Sequence, residues 1–109
     1  MKLFVLVNGS LSSSQRAVQA GHAVAEWCSR EAARWKWDGR TVHTPEWRWR
    51  GGTLVYLKVE NHRELEWWIE HLGDKAVVFQ EPHWGWSSTA LAVLGEGDVP
   101  DLLASLPLL

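Results

Sequence analysis

Residues 2–28 read KLFVLVNGSLSSSQRAVQAGHAVAEWC, and the fold class follows from the change of pattern inside them. Lys2–Val7 is a near-continuous apolar run rich in valine and bounded by the turn pair Asn8-Gly9, the pattern of a strand buried on both faces. Ser12, Ser13 and Ser14 then offer helix caps, and Ser12 with Gln15 three residues on fits a capping box. From about residue 14 to about residue 34 the period is helical. At about 100° per residue, Ala17, Gly21, Val24, Cys28 and Ala32 fall on one side, flanked by Val18 and Ala25. Their small size predicts close packing of that side on a sheet. Gln15, Gln19, His22 and Glu26, spaced four, three and four, form the opposite stripe, which faces either water or a cleft.

The remaining chain alternates in the same way. Residues 35–52, rich in Trp and Arg, read as a short weak helix or an extended loop ending in Gly51-Gly52. TLVYLKV (53–59) is a second strand. Asn61 caps the next helix, Glu64 completes its box, Leu65, Trp68, Ile69 and Leu72 form its apolar stripe, and Gly73 ends it. KAVVFQ (75–80) is a third strand, EPHWGWSS (81–88) a loop and TALAVLG (89–95) a fourth strand. Asp98 caps a last helix with Pro100 in its first turn, running to about residue 106. Such alternation predicts an α/β fold with a largely parallel sheet. The link between the third and fourth strands is too short for a helix, so one strand pairs antiparallel.

Composition narrows the class. A length of 109 residues fits a single domain, 1–109, able to bury a core without disulfide staples. The lone cysteine, Cys28, excludes an intramolecular disulfide; with no signal-peptide pattern and no apolar run approaching a membrane span, a cytoplasmic setting is expected. From Arg30 to Arg50 there are six Lys/Arg against three acids, net +3, leaving five basic and ten acidic residues, net -5, elsewhere. A basic segment on an acidic body is either an electrostatic footprint or a solvated loop. Eight of the nine tryptophans cluster as Trp35/Trp37, Trp47/Trp49, Trp67/Trp68 and Trp84/Trp86; an exposed pair would stack on bases or sugars.

Ligands in open α/β sheets sit beyond the carboxyl ends of parallel strands, where helices begin. Asn8–His22 and Glu81–Thr89 meet there, with a helix N-terminus and serine cluster suited to phosphate or a developing oxyanion. Each residue also has an ordinary structural reading. Gln15 closes a capping box, Gln19 is solvated, His22 pairs with Glu26 one turn on, Glu81 opens a turn and Thr89 starts a strand. The five histidines and Cys28 lack metal-ligand spacing, so no metal or other cofactor is expected, and no Walker loop, G-x-G-x-x-G or G-x-S-x-G elbow is present.

LSSSQRAVQAGHAVAEW after a buried strand resembles the first helix of the type 2 peptidyl-tRNA hydrolases, roughly M-S-x-G-K-x-A-A-Q-x-x-H-A. The matches are Leu11-Ser12, Ala17, Gln19, Gly21, His22 and Ala23. EWRWRGGTLVYLKVENHRELEWW resembles the family's W-x-x-x-G-x-x-x-V-x-L-K-V followed by a helix, TALAVLGEGD its T-x-L-A-I-G-P-x-P strand, and LASLPLL its L-x-L-L ending. The resemblance spans essentially the whole chain in order. It implies a three-layer α/β/α domain with a mixed, mostly parallel four-stranded sheet, metal-free cleavage of the ester joining a peptide to the 3′ end of tRNA, and a homodimer. Two positions depart: the family's lysine is Gln15, with Arg16 one position off, and the aspartate of its D-A-G-x-T loop has only Glu81 nearby. That loop is shorter here and carries His83, Trp84 and Trp86; the threonine opening the last strand is kept as Thr89.

On this resemblance the catalytic set would be His22, Gln19, Thr89 and Glu81. Ser13, Ser14, Gln15, Arg16, His83, Trp84 and Trp86 would contact substrate, and Arg34, Lys36, Arg48 and Arg50 would hold the tRNA backbone. Ester hydrolysis needs a base or positioned water and a stabilised oxyanion. His22 would be that base if Glu81 or Glu26 orients it. The alternatives are a catalytically inactive RNA- or protein-binding module and a hydrolase for a different acyl substrate.

Overall fold

The computed structural model describes residues 1–32, 36–37, 42–43 and 52–109, and the side chains of residues 1–31 and 52–109. In chain order the elements are β1 (Leu3–Asn8), α1 (Ser13–Ala32), β2 (Lys36–Trp37), β3 (Val42–His43), β4 (Leu54–Val59), α2 (His62–Leu72), β5 (Ala76–Glu81), β6 (Ser87–Leu94) and α3 (Val99–Leu102). Short 3-10 turns occupy Gly73–Lys75 and Pro82–Trp84.

All six residues of β1 are buried, as expected of a strand covered on both sides. Alternation divides them. Leu3, Val5 and Val7 join a core with Ala20, Ala23 and Trp27 of α1 and Ala90, Ala92 and Leu94 of β6. Phe4 and Leu6 join another with Leu57 and Val59 of β4, Leu65, Trp68 and Leu72 of α2, Leu91 and Val93 of β6, and Val99 of α3. Gly9 follows β1 where its N–H donates to Val59 O at 2.8 Å. A Cβ there would lie 2.5 Å from Lys58 Cγ and 2.6 Å from Val59 O, so only glycine fits.

The four main strands lie in the order β4-β1-β6-β5. β1 pairs parallel with β4, whereas β6 runs antiparallel to both β1 and β5. The sheet is therefore mixed, but the expectation of a mostly parallel one is corrected. The second strand of the β5–β6 hairpin enters the sheet between β1 and β5, and that placement makes two of the three strand pairs antiparallel. Within 35–52, read from sequence as helix or loop, β2 and β3 instead pair antiparallel, Lys36 with His43 and Trp37 with Val42.

Helix α1 turns a different side to the sheet from the one its small residues suggest. Gln19, Ala20, Ala23, Trp27 and Glu31 are buried, while Ala17, Val18, Gly21 and Ala25 are exposed; Val24 and Cys28 are half-buried at the flank. The rotation from the expected side is about 110° at the helix's angular step. Burying the Trp27 side chain, worth about 1.5–3 kcal/mol, outweighs hiding alanine and glycine, which have little surface to hide. Cys28 sits beside this core, where burial, and secondarily the Glu31 charge, pushes its thiol up from the ordinary value.

Helix α2 begins as its sequence dictates. Asn61 Oδ1 accepts from the Glu64 N–H at 3.0 Å, satisfying one orphan donor of the helix, and Glu64 Oε2 accepts from the Glu60 N–H at 2.9 Å, one residue before the Asn61 N–H that a capping box engages. Gly73, at φ 55°, ends the helix. Helix α3 is shorter than its pattern implies, and Asp98 does not cap it through its side chain; its carboxylate instead lies 3.5 Å from Lys75 Nζ. Among the described residues, no helix is long and apolar enough to cross a membrane.

Candidate functional site

Thr89 marks a break in the sheet's regularity. Phe79 of β5 pairs with Ala90, but Gln80 pairs with Ser88, so Thr89 is an extra residue in β6, a bulge. Farther along β6, Ala90, Ala92 and Leu94 belong to the α1 core, and Leu91 and Val93 to the α2 core. Strict alternation would send Thr89 with the latter pair. The bulge instead delivers its hydroxyl to α1. Thr89 Oγ1 donates to Gln19 Oε1 at 2.6 Å, with the two residues 3% and 2% exposed. A bond this short between groups withdrawn from water fixes both side chains.

His22 follows Gln19 by three positions, so both sit on one flank of α1. Its imidazole stacks on Phe79, with ring centroids 4.6 Å apart and planes 19° from parallel. Two residues beyond Phe79, on the same side of β5 by alternation, Glu81 is buried. Gln19, His22, Glu81 and Thr89 thus lie toward the carboxyl ends of β1 and β5. Glu26, farther along α1, is half-buried.

The link between β5 and β6 is shorter than the 81–88 loop read from sequence, since Glu81 ends β5 and Ser87 and Ser88 open β6. Trp86 N–H donates to Glu81 O at 2.9 Å, closing the hairpin. Gly85 and Trp86 both have φ of 63°, a left-handed conformation costing a tryptophan about 1–2 kcal/mol. His83, Trp84 and Trp86 are exposed, Trp86 at 64%, so the strained turn holds a large indole in water.

The start of α1 is organised by local bonds. Asn8 Oδ1 accepts from the N–H and the hydroxyl of Ser10 at 2.9 and 2.7 Å, and the Gln15 N–H donates to Ser12 Oγ at 3.3 Å. Ser13, Ser14 and Gln15 are exposed. Half-buried Arg16, with Ser13, Ala17, Tyr56 and Leu109, lines a cavity of about 270 Å³. A second cavity, about 310 Å³, lies between the end of α1 and the start of β5, with Trp27, Arg30 and Lys75 in its wall. Neither wall includes Gln19, His22, Glu81 or Thr89.

Arg34, Arg48 and Arg50 lie outside the described residues, and so does the side chain of Lys36. Among the described residues, no three His, Cys, Asp or Glu side chains are grouped to hold a metal ion.

Two contacts here were not singled out from sequence. Phe79, the platform for His22, looks like any strand aromatic. His62, at the first position of α2, places Nδ1 3.2 Å from Ser88 O and Nε2 3.4 Å from Glu66 Oε1. It thereby ties α2 to the residue preceding the bulge.

Fold and site together define an α/β protein with a mixed four-stranded sheet, in which one helix and the β5–β6 hairpin share a buried polar contact. Compared with known proteins, the chain matches no family model and no curated protein sequence.

Proposed function

We propose that this chain is a peptidyl-tRNA hydrolase-like enzyme that hydrolyses the ester between a peptidyl, or N-blocked aminoacyl, group and the 3′ end of tRNA. The observation that carries the reading is the Gln19–Thr89 hydrogen bond, 70 positions apart in sequence, with His22 beside it. These are the positions on which the resemblance to the type 2 peptidyl-tRNA hydrolases rests. The corresponding architecture is a three-layer α/β/α domain, with α1 on one side of the sheet and α2 and α3 on the other.

In this mechanism His22 takes a proton from water as the water oxygen bonds to the ester carbonyl carbon. Thr89 spends its hydroxyl proton on Gln19 Oε1, so the pair positions α1 beside His22, and the oxyanion would lean on the N-terminal dipole of α1 or on Arg16. The tetrahedral adduct then collapses, breaking the bond to the ribose 3′ oxygen, which takes the proton held by His22. Glu81, at the end of β5, supports the positive imidazolium electrostatically. The basic residues Arg34, Lys36, Arg48 and Arg50 would hold the tRNA phosphates, and the setting would be cytoplasmic.

A second reading is a binding module without turnover. It is favoured by Gln15, which leaves the site without the family's lysine charge, and by the outward-held Trp84 and Trp86, which offer π-faces to bases. Incubation with N-blocked aminoacyl-tRNA separates the two. Release of free tRNA that disappears in His22→Ala and Thr89→Ala supports the enzyme. Salt-sensitive tRNA binding with no release by the parent protein sinks it and supports the module.

A further inference from the structure

Asn8-Gly9 is a pair in which an asparagine reacts readily with its own backbone, needing only water. The nitrogen of the second residue attacks the asparagine Cγ, ammonia leaves, and a succinimide ring forms. Water then opens the ring at either carbonyl, giving aspartate or isoaspartate. Glycine favours closure because no Cβ crowds its nitrogen. Here both reacting groups are held. Asn8 ends β1 and is buried. Its Oδ1 accepts from the N–H and the hydroxyl of Ser10 at 2.9 and 2.7 Å, an Asx turn. The same two donors stabilise the negative charge that Oδ1 takes on as the ring closes, in the manner of an oxyanion hole. The electrophile is therefore primed. The nucleophile is restrained: the Gly9 N–H donates to Val59 O at 2.8 Å, at the end of the ladder that sets Asn8 against Val59. The nitrogen must lose that proton to attack, and an amide so held keeps its proton until the pairing opens.

We infer that Asn8 is a self-modification site gated by the β1–β4 ladder, closed in the folded chain and opened when Val59 draws away from Gly9. The turn itself does not depend on β4, because its bonds, including Leu11 N–H to Asn8 O at 3.4 Å, lie within residues 8–11. Opening thus frees the nucleophile and leaves the electrophile primed. How often it opens depends on what holds β4. On its outer edge Lys58 N–H donates to Pro107 O at 2.8 Å and Leu109 N–H donates to Tyr56 O at 3.0 Å, so β1 and the tail grip this strand from opposite edges.

The two products fare differently when the ladder closes again. Aspartate keeps an acceptor for both Ser10 donors. Isoaspartate routes the chain through the former side chain and lengthens the backbone by a methylene. That happens where even a Cβ on Gly9 would lie 2.5 Å from Lys58 Cγ and 2.6 Å from Val59 O. The lengthened chain cannot restore the Gly9–Val59 bond, so the change is one-way and leaves β4 looser than before. Either product adds a carboxylate just ahead of the first turn of α1.

The reaction is followed on the protein alone, by mass spectrometry of the peptide bearing residue 8, so the result is independent of whether the chain hydrolyses tRNA esters. At mildly alkaline pH the chain unfolded in urea should gain the amide-to-acid mass at residue 8, with isoaspartate as the main product. The folded protein should react at least about tenfold more slowly, because slow chemistry behind a fast-closing gate tracks the open population. Deleting residues 107–109 should speed the folded protein's reaction severalfold and leave the rate in urea unchanged; circular dichroism checks that the variant is folded. If it is not, hydrogen exchange of the parent decides: as urea rises below the unfolding transition, the Asn8 reaction and exchange of the Gly9 amide should accelerate in parallel. The isoaspartate product should refold less stably than Asn8→Asp. A folded parent that reacts as fast as the unfolded chain, a folded truncation with the parent's rate, an Asn8 reaction that does not follow Gly9 exchange, or an isoaspartate product as stable as Asn8→Asp overturns the inference.

Discussion

Replacing Thr89 by valine exchanges a hydroxyl for a methyl of nearly the same shape, so the backbone bulge and the packing around it are retained. What is lost is the partner of Gln19 Oε1, in a side chain only 2% exposed. A buried acceptor left without a donor costs about 1–3 kcal/mol. The 2.6 Å length of the bond and the burial of both partners place the expected cost near the middle, about 2 kcal/mol. For a chain of this size that is a fall in melting temperature of about 8 °C. Gln19→Met strands the threonine hydroxyl instead and should cost a similar amount. The double variant leaves neither group unpaired, so it should cost less than the sum of the singles by about 2 kcal/mol. Urea unfolding of the four proteins, fitted with a common slope, measures this coupling. A Thr89→Val cost below about 0.5 kcal/mol, or singles that add within that margin, would mean that water reaches the pair and that the argument from burial is wrong.

Gly9→Ala should destabilise by about 1–3 kcal/mol, because one obstructing atom is the Val59 carbonyl oxygen, which no rotamer change can move; chemical denaturation reads this directly. Trp86→Asn should raise stability by up to about 1 kcal/mol, since asparagine tolerates the left-handed backbone far better. If Trp86 stacks on a base, the same variant should bind tRNA more weakly. Because burial raises the Cys28 thiol, less thiolate is present in the folded than in the unfolded chain at neutral pH, and iodoacetamide should modify the native protein more slowly. The linked stabilisation is fully present below the ordinary thiol value and is lost as pH rises through the folded one, so unfolding should become easier only on the alkaline side.

Some features were legible because a single local force decides them. The apolar run after Lys2 can only be a strand hidden on both sides, and Asn61 with Glu64 can only open a helix. The facing of α1 was not legible from residue size. Its small residues suggested a close-packed side, but Trp27 carries more apolar surface than any of them, and Gln19 could turn inward because a distant hydroxyl meets it. That hydroxyl depends on an extra residue in β6, which no periodicity argument anticipates. The proportion of parallel pairing was missed for a related reason: the brevity of the 82–86 link fixed how β5 and β6 pair, but not which of them would take the interior of the sheet. Grouping Gln19, His22, Glu81 and Thr89 rested on the rule that helices begin at strand carboxyl ends, whereas the contact of His22 with Phe79 is a matter of three-dimensional packing.

The odd residue in β6 also makes this protein unusually sensitive to a change of length. Removing a single codon at position 88 or 89 would still leave two strands able to join, now with even spacing throughout. The other side chains of the hairpin would keep their sides, because Ser88 and Ala90 already pair in phase with Gln80 and Phe79; only the hydroxyl beneath α1 would go, removed outright or turned to the α2 side. A deletion that barely alters the outline of the molecule would therefore erase the long-range hydroxyl–amide contact between Thr89 and Gln19, so natural length variation is expected in the exposed turn at 82–86 and not in the strand that follows.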